Sequence, residues 1–449
     1  MTSILLIYPF SQPRHDRSIF RFPPLGLGYL AANLRRCGYD PQLLDCTFLK
    51  RAEALEKAVQ AKADVVGIYS MVTMREESLQ FARGLRDRCG LLVAGGPLPS
   101  CDPALFLDDF DIVALGEGER SMAAILGAYE KGSDLGTIPG IAYRKNGEMI
   151  FTARRDLEAD LDGLAFPARD LFPNREYVDH WKKRFGQATT TVMTTRGCPF
   201  CCEFCSNVIF GVSYRERSPA NVVDEVEEAL SYGYDRIHFA DDVFTLNKER
   251  IRLICAEIVR RGLDFRWECL GRVNSIDRNV AREMKQAGCD RIFFGIESGS
   301  DSILKLMRKN ITTDGARRAV EVARSAGLRV GSFFILCYPG ETDDTVLQTL
   351  RFAASLPLDY LSFTMPYPLP GTALYERVKD RIRREWKMPV SLFSDHRLVF
   401  DSEFSEPKMK LAILKGQIHF RMQKRLGRRA VFLLRTFQTL TDWAFKIMK

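Results

Sequence analysis

The sequence predicts an α/β chain in four parts: a doubly wound, Rossmann-like domain over residues 1–135, a connector with a hairpin over 136–185, a partial (β/α)6 barrel of TIM type over 186–382, and a C-terminal extension of basic amphipathic helices over 383–449. Three observations predict it. Short runs rich in Val, Ile and Leu alternate with amphipathic stretches, the signature of parallel strands covered on both faces. Beyond Thr190 each such run ends in polar or small residues, as in a barrel whose chemistry gathers at the C-terminal strand ends. At 449 residues the chain exceeds one ordinary core, and its charge divides: Glu406 to Lys449 holds 11 Lys or Arg against Glu406 and Asp442, a local net of +9 within a total of +8.

In order, "SILLIYPF" reads as a strand, "PLGLGYLAANLRRCG" as a helix closed by Gly38, and "DPQLLDCT" as a second strand. "RAEALEKAVQAKA" (helix), "DVVGIYS" (strand), "REESLQFARGLRDRCG" (helix), "LLVAGGP" and "DIVALGEGE" (strands) complete the first domain. In the connector, the Asn-Gly turn of "GIAYRKNGEMIFT" predicts a hairpin, and the Pro-punctuated "DLDGLAFPARDLFP" an irregular crossing. The barrel strands are "TTVMTTRGC", "RIHFADD", "FRWECLGRV", "RIFFGIESG", "RVGSFFILCYPG" and "DYLSFTMPYPLPG". After Arg381 the alternation stops. "HRLVFDSEFSEP" looks extended, and one or two basic helices follow from Pro407.

Composition excludes several classes. No window approaches the roughly 18 uninterrupted apolar residues of a membrane span. The N-terminus has a short apolar run without a basic lead, so it reads as a first strand and not as a signal peptide. Eight of the 12 cysteines are scattered singly through apolar segments, which suits buried thiols in a reducing, cytoplasmic setting better than a disulfide framework. "VAGGP" follows a strand, but no GxGxxG opens a helix after the first strand, so a nicotinamide cofactor is not expected.

The other four cysteines lie in "RGCPFCCEFCS", where Cys198, Cys202 and Cys205 have the spacing C-x3-C-x2-C directly after a strand. Thiolates this close select iron–sulfur or zinc. A structural zinc site closes four ligands, usually from two separated knuckles, and four within eight residues would strain a tetrahedron. A cubane can take three cysteines from one loop and leave its fourth iron open to a substrate. Cys201 leaves a second spacing available, C-x2-C-x3-C through Cys198, Cys201 and Cys205.

With an aromatic residue, Phe204, before its last cysteine, this loop resembles the signature of the radical S-adenosylmethionine (SAM) superfamily. The resemblance implies that Cys198, Cys202 and Cys205 hold a [4Fe-4S] cluster, with Cys201 a bystander. The open iron of that cluster chelates SAM, and one electron cleaves SAM to methionine and a 5′-deoxyadenosyl radical. It further implies that Asp241 and Asp242, ending the second barrel strand, lie against the SAM amino group. Glu297 and Ser298 in "GIESGS" fall where the family binds the ribose hydroxyls, and Arg272 in "LGRVNS" could pair with the SAM carboxylate. The alternatives are a helix N-cap for either Asp and a structural salt bridge for Arg272. "CYPGET" resembles the fifth-strand turn of the family, a structural feature.

The first domain, taken with the barrel, resembles the cobalamin-binding domain of B12-dependent radical SAM enzymes, over about residues 1–380 in all. The matching stretches are "PPLGLGYLA" (Pro24, Leu25, Gly26), "GIYSMVTM" (Ser70, Val72, Thr73), "VAGGPLPS" (Gly95, Gly96, Pro97) and "ALGEGE" (Gly116, Glu117). All fall at predicted strand ends, where doubly wound folds bind ligands. The implied cofactor is cobalamin, with Gly95 and Gly96 letting the backbone approach its nucleotide tail. The resemblance departs at one point: "DCTFLK", where many cobalamin proteins supply an axial histidine from D-x-H-x-x-G, has none. A lower face covered by "SMVTM" is the implied substitute.

The expectation is therefore a radical SAM enzyme that uses cobalamin to modify an unactivated carbon of a small molecule, by methyl transfer or, alternatively, by ring formation or carbon–carbon coupling. An iron–sulfur or zinc binding module is the non-enzymatic alternative. A reducing donor of flavodoxin or ferredoxin type is implied, and nucleic acid is not expected as a partner. In the tail, Leu433, Phe437, Leu440, Ala444 and Ile447 recur at helical spacing beside Trp443 and interleaved basic residues. That pattern suits peripheral contact of residues 421–449 with the inner face of a membrane, and with it a lipid or isoprenoid substrate. A helix packed on the barrel is the alternative.

Overall fold

The structure, a computed structural model, describes residues 2–9, 21–383, 399–426 and 431–448. Its elements, in chain order, are β1 (Ile4–Tyr8), α1 (Leu25–Arg36), β2 (Pro41–Asp45), α2 (Arg51–Gln60), β3 (Val65–Tyr69), α3 (Arg75–Leu85), β4 (Leu91–Gly95), α4 (Pro97–Cys101), β5 (Ile112–Ala114), α5 (Gly118–Lys131), β6 (Ile141–Lys145), β7 (Glu148–Phe151), α6 (Asn174–Phe185), β8 (Thr189–Val192), β9 (Thr195–Arg196), β10 (Arg215–Glu216), α7 (Pro219–Ser231), β11 (Arg236–Phe239), α8 (Lys248–Arg260), β12 (Arg266–Gly271), α9 (Arg278–Gln286), β13 (Cys289–Glu297), α10 (Asp301–Leu306), α11 (Thr313–Ser325), β14 (Arg329–Ile335), α12 (Asp343–Ser355), β15 (Tyr360–Thr364), α13 (Ala373–Val378), α14 (Glu406–Leu426) and α15 (Val431–Ile447). By proximity they form two compact units, residues 1–199 with 207–237, and residues 200–206 with 238–449.

The first sheet has the strand order β2-β1-β3-β4-β5-β6-β7. Strands β1 to β5 are parallel, with Leu6 opposite Leu43 on one side and Gly67 on the other. Two apolar layers cover this sheet. Along β1, Leu5 and Ile7 enter one layer while Ile4 and Leu6 enter the other, which is why the strand reads as a continuous apolar run instead of an alternating one. The order 2-1-3-4-5 is a doubly wound arrangement whose strand order reverses between β1 and β3. The Asn-Gly hairpin forms as expected. Asn146 (φ +53) and Gly147 (φ +85) both take the left-handed region that a two-residue turn of this kind requires. However, β6 pairs antiparallel with β5, so the hairpin extends the first sheet and is more than a connector.

The second sheet runs β15-β14-β13-β12-β11-β8, six strands side by side in sequence order, and its β12 to β15 pairs are parallel. These six are the strands expected of the partial barrel. Its helices start where the sequence supplies cap residues: Ser218, Asn247, Asp277, Thr312 and Thr342 each accept a backbone N–H of the first turn. A short antiparallel ribbon of β9 and β10, which periodicity could not signal in two-residue strands, joins the loop that carries the cysteines.

In the tail, α14 and α15 are the expected basic helices. Buried Lys415 and exposed Arg351 both pair with Asp442, joining α14 and α12 to α15. Leu440, Trp443 and Ile447 are exposed by 64%, 65% and 58%. Leu433 and Phe437 of the expected apolar stripe lie outside the described side chains, as do residues 396–398 of the stretch read as extended. Within that stretch, Phe400 bridges antiparallel to Ile382. Among the described residues, no helix is long and apolar enough to cross a membrane.

Candidate active site

In the first unit, four loops follow the strand ends of the doubly wound sheet. Pro24 precedes α1, and Leu25 and Gly26 open it. Ser70, Val72 and Thr73 follow β3, Gly95, Gly96 and Pro97 follow β4, and Gly116 and Glu117 follow β5. Gly96 has φ +107, and a Cβ there would lie 2.6 Å from the Ser70 carbonyl, so only glycine fits. A Cβ at Gly95 or Gly26 would meet nothing within 4 Å, which leaves room for a ligand to approach the backbone. The Ser70 hydroxyl is fully buried and has no hydrogen-bond partner among the described residues. A buried hydroxyl normally finds one, so this orphan beside open glycines fits a polar cofactor at the strand ends. Val72 instead packs against the apolar core below α3.

The loop after β2 lacks a histidine and is closed by the protein itself. Tyr177 of α6 donates 2.7 Å to Asp45 and lies 2.9 Å from the Thr47 hydroxyl, and Phe48 packs edge-on against its ring at 4.8 Å. Burial first, and then the Asp45 charge, push the Tyr177 phenol well above its ordinary pKa, so it stays a donor. In the sequence, nothing linked Tyr177 to this loop.

Glu117, at the last of these strand ends, is engaged by two arginines. Its carboxylate lies 2.8 Å from Arg215 and 3.4 Å from Arg196 and accepts the Glu158 N–H at 2.8 Å. Arg196 also donates to Glu119 at 2.6 Å. Burial opposes the charge of Arg196, but Glu119 and then Glu117 outweigh it and raise its pKa. Just behind, Glu225 of α7 receives Arg169 at 2.6 Å, Arg217, and the Tyr29 hydroxyl at 3.1 Å, all buried. These acidic anchors carry no local sequence signal. Cys198, in the same unit, is buried, and its N–H donates to the Gly211 carbonyl at 3.4 Å.

In the second unit, Cys202 and Cys205 share a turn, with the Cys205 N–H donating to the Cys202 carbonyl at 3.1 Å. Cys201 and Cys205 are exposed, Cys202 is half-buried, and no disulfide forms among the described residues, which include all 12 cysteines. No three His, Cys, Asp or Glu side chains are gathered as metal ligands among the described residues. The donor chemistry of the loop nevertheless fits a cluster: three soft sulfurs, and the Arg272 guanidinium 3.9 Å from the Cys202 sulfur, a cation beside an anionic ligand. Between them Glu203, unnoticed in the sequence, accepts Tyr338 at 2.8 Å and pairs with Arg377 at 2.6 Å, fixing the turn to β14 and α13.

The strand-end residues surround this turn. Arg272 stacks on Phe200 at 3.5 Å and donates to the Lys309 carbonyl, while its buried Nε has no hydrogen-bond partner among the described residues. Glu297 stands at φ +71 after a register shift in β13 and accepts Lys309 at 3.0 Å. Lys309 also lies 5.7 Å from the Phe204 ring, and Phe204 packs edge-on against Tyr338. The Ser298 hydroxyl is engaged inside the turn, 3.0 Å from Thr349 and accepting the Ser300 N–H, so it serves structure here. Asp241 is buried, whereas Asp242 is accessible yet surrounded closely enough that desolvation, then Asp241, raises its pKa. Neither caps α8, since Asn247 does so. A carboxylate pair at a strand end, an orphaned guanidinium nitrogen and a strained Glu297 fit SAM's amino, carboxylate and ribose groups.

The comparisons agree with this geometry. Residues 18–126 match the B12 binding domain and residues 192–353 the Radical SAM superfamily. The chain is 35% identical to an uncharacterised methyltransferase of Pyrococcus horikoshii over 83% of its length and 82% of the relative's. It is 26% identical to an anaerobic magnesium-protoporphyrin IX monomethyl ester cyclase of Cereibacter sphaeroides, covering 88% of the chain and 65% of the relative. Among solved structures it resembles TsrM, a radical SAM methyltransferase from Kitasatospora setae with cobalamin and a [4Fe-4S] cluster bound, at a TM-score of 0.72 and 21% identity over 84% of this chain and 75% of that one. The chain belongs to the cobalamin-dependent radical SAM enzymes, the family that joins a B12-binding domain to a radical SAM domain and works with a [4Fe-4S] cluster, SAM and cobalamin.

Proposed function

We propose that this enzyme transfers a methyl group to an unactivated carbon of a small molecule. One observation carries the choice of reaction: the 35% identity to a methyltransferase extends across both domains, so cobalamin loops and barrel are related together. The bound cofactors supply radical formation and the methyl group; the chain binds, orients and shields. Cys198, Cys202 and Cys205 would hold the cluster, with Arg272 beside the Cys202 sulfur. Arg272 would bind the SAM carboxylate through its unpartnered Nε, Asp241 and Asp242 its amino group, and Glu297, held by Lys309, its ribose. Ser70 and the Gly95–Gly96 backbone would receive cobalamin.

The similarity to a cyclase supports a second reading, ring formation without methyl transfer. Exposed Leu440, Trp443 and Ile447 on a basic helix support a lipid or isoprenoid substrate met at a membrane surface. The free, buried thiols of Cys46, Cys255, Cys269, Cys289 and Cys337 support a reducing, cytoplasmic setting, in which a flavodoxin or ferredoxin would be the donor. The test is an anaerobic reaction with methyl-deuterated SAM and a lipid extract. Methyl transfer puts the deuterated methyl on a product carbon in place of hydrogen, with 5′-deoxyadenosine taking up that hydrogen. Deoxyadenosine formed alongside an unlabelled product lighter by two hydrogens would establish cyclisation instead.

A further inference from the structure

The β9–β10 ribbon flanks the loop that carries the cysteines, and in it Arg196 stands directly opposite Arg215. Like charges in register repel, and buried cations without partners are costly. Both arginines are nevertheless more than nine-tenths buried. One acidic turn makes this possible. Glu117 meets both, and Glu119 takes Arg196 at 2.6 Å. The rings of Tyr29 and Phe210 cover the Arg196 guanidinium at 5.3 and 5.2 Å, and Arg215 reaches the carbonyls of Glu158 (2.6 Å) and Phe210 (3.0 Å).

Gly116 opens this same turn. It has φ +74, its N–H donates to Ser100 at 3.0 Å, and the one atom a Cβ there would meet is the carbonyl of Ile209, within the cysteine loop, at 3.5 Å. The turn expected to face cobalamin thus rests on the cysteine loop and holds both legs of its neck. We propose that Gly116–Glu119 is a clamp coupling cobalamin binding to the cluster loop, with Arg196 and Arg215 as positioning residues. The inference rests on the cofactor assignment above. Coupling is reciprocal: cobalamin stiffens the neck and protects the cluster, and the assembled cluster tightens cobalamin by the same factor.

The test uses the full chain with its cluster reconstituted, with and without hydroxocobalamin. The rate at which a chelator bleaches the cluster and the EPR signal of the reduced cluster are recorded in both states. The clamp predicts several-fold slower bleaching and an altered signal with cobalamin in the wild type. In the E117Q/E119Q variant both cofactors still bind, but the rates with and without cobalamin coincide. R196K, which keeps the charge but loses the fork, should fall between. A wild-type cluster indifferent to bound cobalamin overturns the clamp without any variant, and so does a variant that retains the protection. A wild type that takes up cluster but no cobalamin refutes the cofactor assignment instead.

Discussion

Glu297 shows how much of this site rests on single residues whose partners are remote in sequence. Its backbone stands at φ +71, a region that costs a non-glycine residue on the order of 1 kcal/mol, and Lys309 holds its carboxylate there. Gly295 makes room for the pair, since a Cβ at that position would lie 2.5 Å from the Glu297 carboxylate and 3.0 Å from the Lys309 ammonium. The sequence marked Glu297 because it ends an apolar run. Nothing marked Lys309, because an ion pair twelve residues away through a helix has no local pattern. Glu341 gives a pH prediction at the same scale. Burial raises its pKa from 4.5 to about 8, against the opposing N–H groups of Tyr338 and Cys337, and its Oε1 has no hydrogen-bond partner among the described residues. A folded-state pKa above the unfolded one means that the native protein holds a proton the unfolded chain releases. The stabilisation is therefore complete below pH 4.5 and is lost as pH rises to 8. Chemical denaturation across that window should show stability falling by up to a few kcal/mol, and E341Q should flatten the slope.

Elements decide where those residues can act. Parallel strands with one end each at the chemistry were legible because hydrophobic periodicity is local, whereas the cap residues that start the helices were found only in the structure. The β9–β10 ribbon was not, since its strands are two residues long and its pairing depends on Glu117 and Glu119, about eighty residues earlier. The place of Glu117 after β5 is likewise visible in the sequence, but its arginine partners are not. At the β4 end, G96A forces a Cβ against the Ser70 carbonyl at 2.6 Å in a backbone region closed to alanine. We expect G96A to lower stability by about 2 kcal/mol and to lose cobalamin while keeping its iron, measured by metal analysis and cobalamin absorbance. Normal cobalamin uptake would show that the cofactor lies elsewhere.

For the whole molecule, charge and apolar exposure coincide in the tail. Asp442 ties α15 inward through Lys415 and Arg351, and Lys446 pairs with Asp344 at 2.7 Å, while Leu440, Trp443 and Ile447 face outward. The full enzyme should sediment with anionic phospholipid vesicles more than with neutral ones, the difference fading with salt and after replacement of those three residues by Ser. Binding to neither vesicle would leave the exposed face without a membrane role. The sequence located this charge but could not say which helix face the fold would cover.

The central claim, a cluster on Cys198, Cys202 and Cys205 working beside cobalamin, meets its most direct test in anaerobic reconstitution of the wild type, C202A and C201A with iron, sulfide and hydroxocobalamin. Bound iron, bound cobalamin and 5′-deoxyadenosine from SAM are measured together. The wild type and C201A should bind about four irons and one cobalamin and cleave SAM, with cluster and cleavage lost in C202A. Loss in C201A with retention in C202A, or a wild type that binds zinc and leaves SAM intact, would contradict it.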